Sequence, residues 1–178
     1  IDYDGEFELL IPKNTIDKLK TLGLTGEVRI RHSNAMAIFA TEDFEICTRL
    51  VQGEYYKYQN MFKELPLHTV ISRKELLDAM VRAKMCTAEK CPVKFEIAGS
   101  QLGLSIKDQT TDYHETVDLQ EDISEELTIG FDARLVIETL KAFDCDNVGI
   151  SLQGPKMPMI VEAEDSDFKT IVLPVAIK

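Results

Sequence analysis

No stretch of this chain approaches the roughly 18–20 consecutive apolar residues that a membrane-spanning helix needs, which excludes a helical membrane protein. Nothing at its start has the basic-then-apolar form of a secretory leader. The chain opens on Ile1, in or just before a strand-like run, which fits a fragment or a processed product. Cysteine is sparse: Cys47, Cys86, Cys91 and Cys145 are scattered, and a chain of 178 residues does not depend on disulfides. The Cys86–Cys91 spacing matches no common zinc pattern, and His32, His68 and His114 form no ligand-spaced pair. The expectation is buried thiols in a reducing cytoplasm, with no metal and no cofactor. Positive charge is also short. Lys and Arg number 20 against 31 Asp and Glu, a net charge of −11, which at first argues against nucleic acid. Walker loop, dinucleotide fingerprint and nucleophile elbow are all missing, and no Ser-His-Asp or Cys-His arrangement is readable. No catalytic residue is expected. The acidic clusters Glu121-Asp122, Glu125-Glu126 and Glu162-Ala163-Glu164-Asp165 fall at turns and strand ends, where solvated carboxylates are the default. A metal-dependent enzyme is therefore the least favoured reading.

What the chain does have is a repeat. Asn14, Ser72 and Asp132 lie 58 and 60 residues apart. Each follows an apolar run (Phe7–Ile11, Thr69–Ile71, Leu127–Phe131) and precedes an amphipathic stretch. These three residue types accept hydrogen bonds from the free amides of a first helical turn, and Ser72 with Glu75 has the spacing of a capping box. After each helix come three runs that alternate apolar and polar residues, the mark of strands with one buried face. They are 27–31, 36–39 and 44–47; then 93–97, 102–106 and 113–117; then 148–152, 159–161 and 168–172. Ser33-Asn34, Gly99-Ser100, Gly154-Pro155 and Asp165-Ser166-Asp167 mark turns between them. The unit is strand, helix, three strands, used three times, and self-similarity at a fixed period marks one supersecondary unit reused.

The charge follows the repeat. The expected helices 14–22, 72–85 and 132–143 hold eight cations against five carboxylates. The rest of the chain is therefore more acidic than the whole. An acidic body with relatively basic helices suits a protein that holds a polyanion on one side and repels it elsewhere, although solvated helix faces give the same pattern. Each helix also carries an apolar stripe for the following sheet to cover: Ile16, Leu19 and Leu22; Leu76, Leu77, Met80, Val81 and Met85; Leu135, Val136, Leu140 and Phe143.

The repeat, the helix charge and three local motifs resemble the bacterial DNA polymerase III beta subunit, the sliding-clamp family. The motifs are Val51-Gln52-Gly53-Glu54-Tyr55-Tyr56-Lys57-Tyr58, Gly130-Phe131-Asp132 with Leu135-Val136 and Leu140–Phe143, and Ile171-Val172-Leu173-Pro174-Val175. The resemblance covers essentially the whole chain. It implies an α+β DNA-clamp fold of repeated strand-helix-three-strand units, with antiparallel sheets outside and helices lining the inner face. Residues 1–62 correspond to the second half of the family's middle domain, and 63–178 to its C-terminal domain, with repeats 66–123 and 124–178. Two departures stand out: a proline usual in the connector is Tyr56, and a basic residue usual near the end is Ala176.

The same resemblance implies a non-catalytic processivity factor of the polymerase III holoenzyme. The full-length protein would form a head-to-tail ring dimer around duplex DNA, without sequence preference, in the cytoplasm and away from membranes. Diffuse, exchangeable positive charge suits a ring that must slide. The residues expected to face DNA are Lys18, Lys20, Arg73, Lys74, Arg82, Lys84, Arg134 and Lys141. Polymerase and clamp-loader subunits would insert short apolar peptide motifs into a cleft of Tyr56, Asn60, Met61, Cys91, Lys156, Pro158, Ile171, Val172, Leu173, Pro174, Val175 and Ala176. The alternative is a clamp-fold interaction scaffold without ring function. An unpartnered repeat at 1–62 would expose a sheet edge, so two copies of this chain are expected to pair there.

Overall fold

The computed structural model describes residues 7–23, 26–86, 92–107 and 110–177. The chain divides into two units, Ile1–Lys57 and Tyr58–Lys178. The division falls ahead of the expected 62/63 boundary, because the turn of 3₁₀ helix at Tyr58–Met61 belongs with the second unit.

In the first unit, α1 (Lys13–Thr21) starts one residue before Asn14. The cap is Pro12, with φ −58°, and no side chain caps this helix. Proline suits the position because it has no amide to leave unsatisfied, while its carbonyl accepts from the amides of Thr15 and Ile16 at 2.9 and 3.2 Å. Three antiparallel strands follow, β1 (Arg29–His32), β2 (Met36–Ala40) and β3 (Glu45–Arg49), in the order β1-β2-β3. The expected strand at Phe7–Ile11 forms no ladder. Its tie is the Val51 amide donating to the Leu10 carbonyl at 2.8 Å. The core here is small, Ala37, Phe39 and Leu50, with Leu9, Ile11, Leu19, Val28 and Ile46 packed on it. Of the stripe expected on α1, Ile16 and Leu22 remain exposed. Thr15 is buried instead, its hydroxyl 2.8 Å from that of Thr48.

The second unit holds β4 (Leu67–Ser72), α2 (Arg73–Cys86), β5 (Val93–Lys107), β6 (Asp112–Phe131), α3 (Ala133–Lys141), β7 (Asn147–Leu152), β8 (Met159–Ala163) and β9 (Lys169–Val172). The sheet order is β5-β6-β4-β7-β8-β9. β5 is one long strand, but its register against β6 shifts on both sides of Gly99 and it is not straight. Ser105 donates to the Glu96 carboxylate at 3.0 Å, although nine residues of extended chain span about 30 Å. The reversal lies at Gly99, whose φ of +56° is the left-handed conformation that glycine takes without a steric penalty. The two arms of β5 then pair with opposite ends of β6: Val93–Ile97 with Leu127–Phe131, and Gln101–Lys107 with Asp112–Asp118. The expected strands 93–97, 102–106, 113–117 and 127–131 are thus all present, joined end to end.

This pairing is reciprocal. The first strand of one repeat, β4, pairs along its whole length with β7 of the other. The first strand of the other repeat, Leu127–Phe131, pairs with Val93–Ile97. β4 and β6 share the ladder pair Ile71↔Leu119, and the Thr69 hydroxyl donates to the Glu121 carbonyl at 2.8 Å. Each repeat thus completes the other's sheet, and α2 and α3 pack together against the shared core. Alternate residues of β5, Val93, Phe95, Ile97, Leu102, Leu104 and Ile106, all face that core. The helix faces match those expected in part: Leu76 and Met80 of α2, and Val136, Leu140 and Phe143 at α3, are buried. α2 buries Leu76, Ala79, Met80 and Ala83, leaving Val81 and Met85 exposed. α3 buries Ala133, Val136, Ile137 and Leu140, leaving Leu135 exposed. Alanine lets a helix approach a sheet closely, so small residues rather than the longest apolar run set the rotation of α2.

Candidate functional site

The caps aim α2 and α3. The Ser72 hydroxyl accepts from the Glu75 amide at 3.3 Å, and Asp132 accepts from the Arg134 amide at 2.8 Å. Lys74, Arg82, Lys84, Arg134 and Lys141 then stand on the exposed faces of these two helices, and Lys18 and Lys20 on that of α1. Arg73 is different. It is half-buried, and its guanidinium donates to the Cys145 carbonyl, tying the start of α2 to the turn after α3. Two more of the expected DNA contacts already carry carboxylates. Arg82 holds Glu115 with two hydrogen bonds, at 3.0 and 2.5 Å. Tyr113 donates to the same carboxylate. The Arg82 bonds hold the Glu115 carboxyl below the usual range, while burial and the Glu115 contact push the Tyr113 phenol up. Arg134 lies 2.8 Å from Asp132 and holds that carboxyl down as well.

The second site is a groove of about 430 Å³ lined by Pro155, Lys156, Pro174, Val175, Ala176 and Ile177. The Gly154-Pro155 turn between β7 and β8 forms one wall, and the segment after β9 the other. Four residues expected to bind peptide are brought together here: Lys156, Pro174, Val175 and Ala176. Leu173 is exposed, Ile171 and Pro158 are half-buried, and Val172 is 2% exposed within the main core. Asn60 is exposed and Met61 half-buried on the 3₁₀ turn, while Tyr56 lies in the first unit, 71% exposed. Cys91 lies outside the described residues. In the sequence Ile177 falls in no motif, Pro155 reads only as part of a turn, and Gly130 only as part of Gly130-Phe131-Asp132. A glycine inside a strand marks a close backbone approach, and that was the available signal.

A further hollow of about 370 Å³ is lined in part by His68, Ser151, Glu162 and Lys169. It is no nucleophilic triad. Ser151 Oγ and Glu162 Oε1 approach the same ring nitrogen, Nδ1 of His68, at 3.0 and 3.7 Å, so the imidazole has no second nitrogen in the relay. Glu162 Oε2 holds Lys169 at 2.7 Å. Among the described residues, no three His, Cys, Asp or Glu side chains are grouped to hold a metal ion, and no helix is long and apolar enough to cross a membrane.

Residues 63–176, most of the second unit and all but the last residue of the groove, match the family described as DNA polymerase III beta subunit, C-terminal domain. The chain belongs to the DNA polymerase III beta subunit family. The beta sliding clamp of Streptococcus pneumoniae is 26% identical over an alignment of 180 positions that covers 96% of this chain and 47% of that protein. A putative beta subunit from Eubacterium rectale superposes with a TM-score of 0.84 at 26% identity, covering 98% of this chain and 50% of that one. A sliding clamp of Bartonella birtlesii, solved bound to griselimycin, has a TM-score of 0.85 at 20% identity over 95% of this chain and 47% of its own. The fold is the α+β clamp fold. This beta-subunit chain spans about half the length of the curated relatives it matches.

Proposed function

We propose that this chain is part of a DNA sliding clamp, a non-catalytic processivity factor that encircles duplex DNA and tethers polymerase and clamp-loader subunits by short peptides. One observation carries the reading. The groove between the Gly154-Pro155 turn and residues 174–177 is apolar along one wall and bears Lys156 on the other, and all of its lining but Ile177 lies in the part of the chain that matches the family. An apolar cleft with a few polar groups is the ordinary form of a peptide site. The griselimycin complex of the Bartonella birtlesii clamp supports ligand capture by a protein of this fold. The exposed lysines of α1, α2 and α3 suit weak, sequence-independent attraction to phosphates, with closure of a ring dimer in the cytoplasm retaining the duplex.

Titration calorimetry with griselimycin and with a polymerase-tail peptide tests the groove. The unmodified chain is expected to bind both. Leu173→Asp with Val175→Asp is expected to abolish binding while circular dichroism stays native, since both side chains are solvent-exposed. Unchanged affinity in that variant removes the assignment. Duplex binding by the full-length protein is expected to weaken steeply with salt, and salt-independent or absent binding favours the scaffold reading.

A further inference from the structure

Gly130 lies in β6 opposite Lys94 and is buried. Its backbone is not in a glycine-only conformation, so the reason for glycine lies in what sits above it. A Cβ built there would stand 2.7 Å from Ile177 Cγ1 and 2.8 Å from the Val175 carbonyl oxygen. Both distances are closer than non-bonded atoms tolerate. The Val175 amide, in turn, donates to the Gly130 carbonyl at 2.8 Å. Residues 175–177 therefore lie flat on the strand, in the space that any side chain at 130 would fill. Leu173, Val175 and Ile177 are all exposed, so burial of their own side chains does not seat this segment. Yet Pro174, Val175, Ala176 and Ile177 make four of the six residues lining the groove.

We propose that Gly130 is a positioning residue for the peptide groove: its missing side chain lets residues 174–177 dock on β6, and that docking builds one wall of the site. The inference rests on the groove being the peptide site. It adds that ligand affinity is set from beneath the groove, by a residue that no ligand touches.

The test compares the unmodified chain, Gly130→Ala, Ile177→Ala and the double variant. Griselimycin affinity is read by calorimetry, and backbone hydrogen exchange at Val175 and at Ile150 by NMR. In the unmodified chain, Val175 is expected to be protected. Gly130→Ala is expected to lose that protection and to weaken griselimycin at least tenfold, with Ile150 in β7 unchanged. The double variant removes the nearest clashing atom and is expected to regain part of both. Native protection and native affinity in Gly130→Ala overturn the proposal. So does equal loss of protection at Val175 and Ile150, which shows a general fold defect. Should the unmodified chain not bind griselimycin, the peptide-site reading fails first, and Val175 exchange still decides whether Gly130 seats the segment. If Gly130→Ala does not fold, Val175 exchange in the unmodified chain carries the test alone: an unprotected Val175 amide there overturns the docking.

Discussion

Asp132 is where a single residue does the most that is visible in both sequence and structure. It caps α3 through the Arg134 amide and pairs with the Arg134 guanidinium. Asp132→Ala removes both contacts and is expected to cost about 1 kcal/mol of second-unit stability in urea titration, the ordinary worth of an N-cap. Asp132→Asn keeps an acceptor at the cap and is expected to cost less. Because the Asp132 carboxyl is held below its ordinary value in the fold, its contribution is complete above an unfolded pKa of about 3.9 and fades as pH falls through the lower folded value. The unmodified chain is thus expected to lose this increment in acid, and Asp132→Asn to lack that part of the pH dependence. Identical urea midpoints for all three proteins at both pH 7 and pH 3 would show that the cap contributes nothing. Arg73 shows the opposite kind of residue. Its position in a basic helix suggests DNA, while its half-buried guanidinium also donates to the Cys145 carbonyl and so joins two elements.

At the scale of elements, α2 separates periodicity from burial. Leu76, Leu77, Met80, Val81 and Met85 read as one stripe, yet the buried face is Leu76, Ala79, Met80 and Ala83. Leu76→Ala and Met80→Ala are expected to cost about 2–5 kcal/mol each, as full burial dictates. Met85→Ala, at a residue 83% exposed, is expected to fall within about 0.5 kcal/mol of neutral. Thermal or urea unfolding reads both, and a large cost at Met85 in the isolated chain would contradict the observed rotation. The strands were easier to read, since alternation of period two leaves only two faces to choose from. Phe7–Ile11 reads as a strand from its apolar run, but among the described residues no neighbour pairs with it.

At the scale of the whole molecule, the reciprocal exchange in the second unit defines what a lone repeat lacks. β4 closes against β7, and Leu127–Phe131 against Val93–Ile97. In the first unit, β1 pairs with β2, and no strand occupies its other edge among the described residues. The 178-residue chain on its own is expected to self-associate through β1, and light scattering decides it. A strict monomer that keeps its first unit ordered removes the pairing. The same scale governs DNA. Glu115 already neutralises Arg82. In the full-length protein, Arg82→Ala is expected to leave the salt dependence of duplex binding nearly unchanged. Lys74→Ala is expected to flatten it, and Glu115→Gln to steepen it by about 0.9 in log–log slope, one phosphate contact's worth. A full contact's loss in Arg82→Ala would mean that Arg82 leaves Glu115 for DNA.

The repeat, the starts of α2 and α3 and nearly every strand could be read from the amino acids alone. Caps, turn glycines and alternation act within a few residues, so they are written locally. Four groove residues, Lys156, Pro174, Val175 and Ala176, followed from the family resemblance. The tertiary structure decided which strands exchange, how α2 is rotated, and which cations remain exposed. Arg82 and Glu115 are 33 positions apart, and Gly130 meets Ile177 only because β6 and the segment after β9 come to one edge. Contacts of that reach depend on how the elements pack, and packing is settled by summed volumes across the core rather than by any local run of residues.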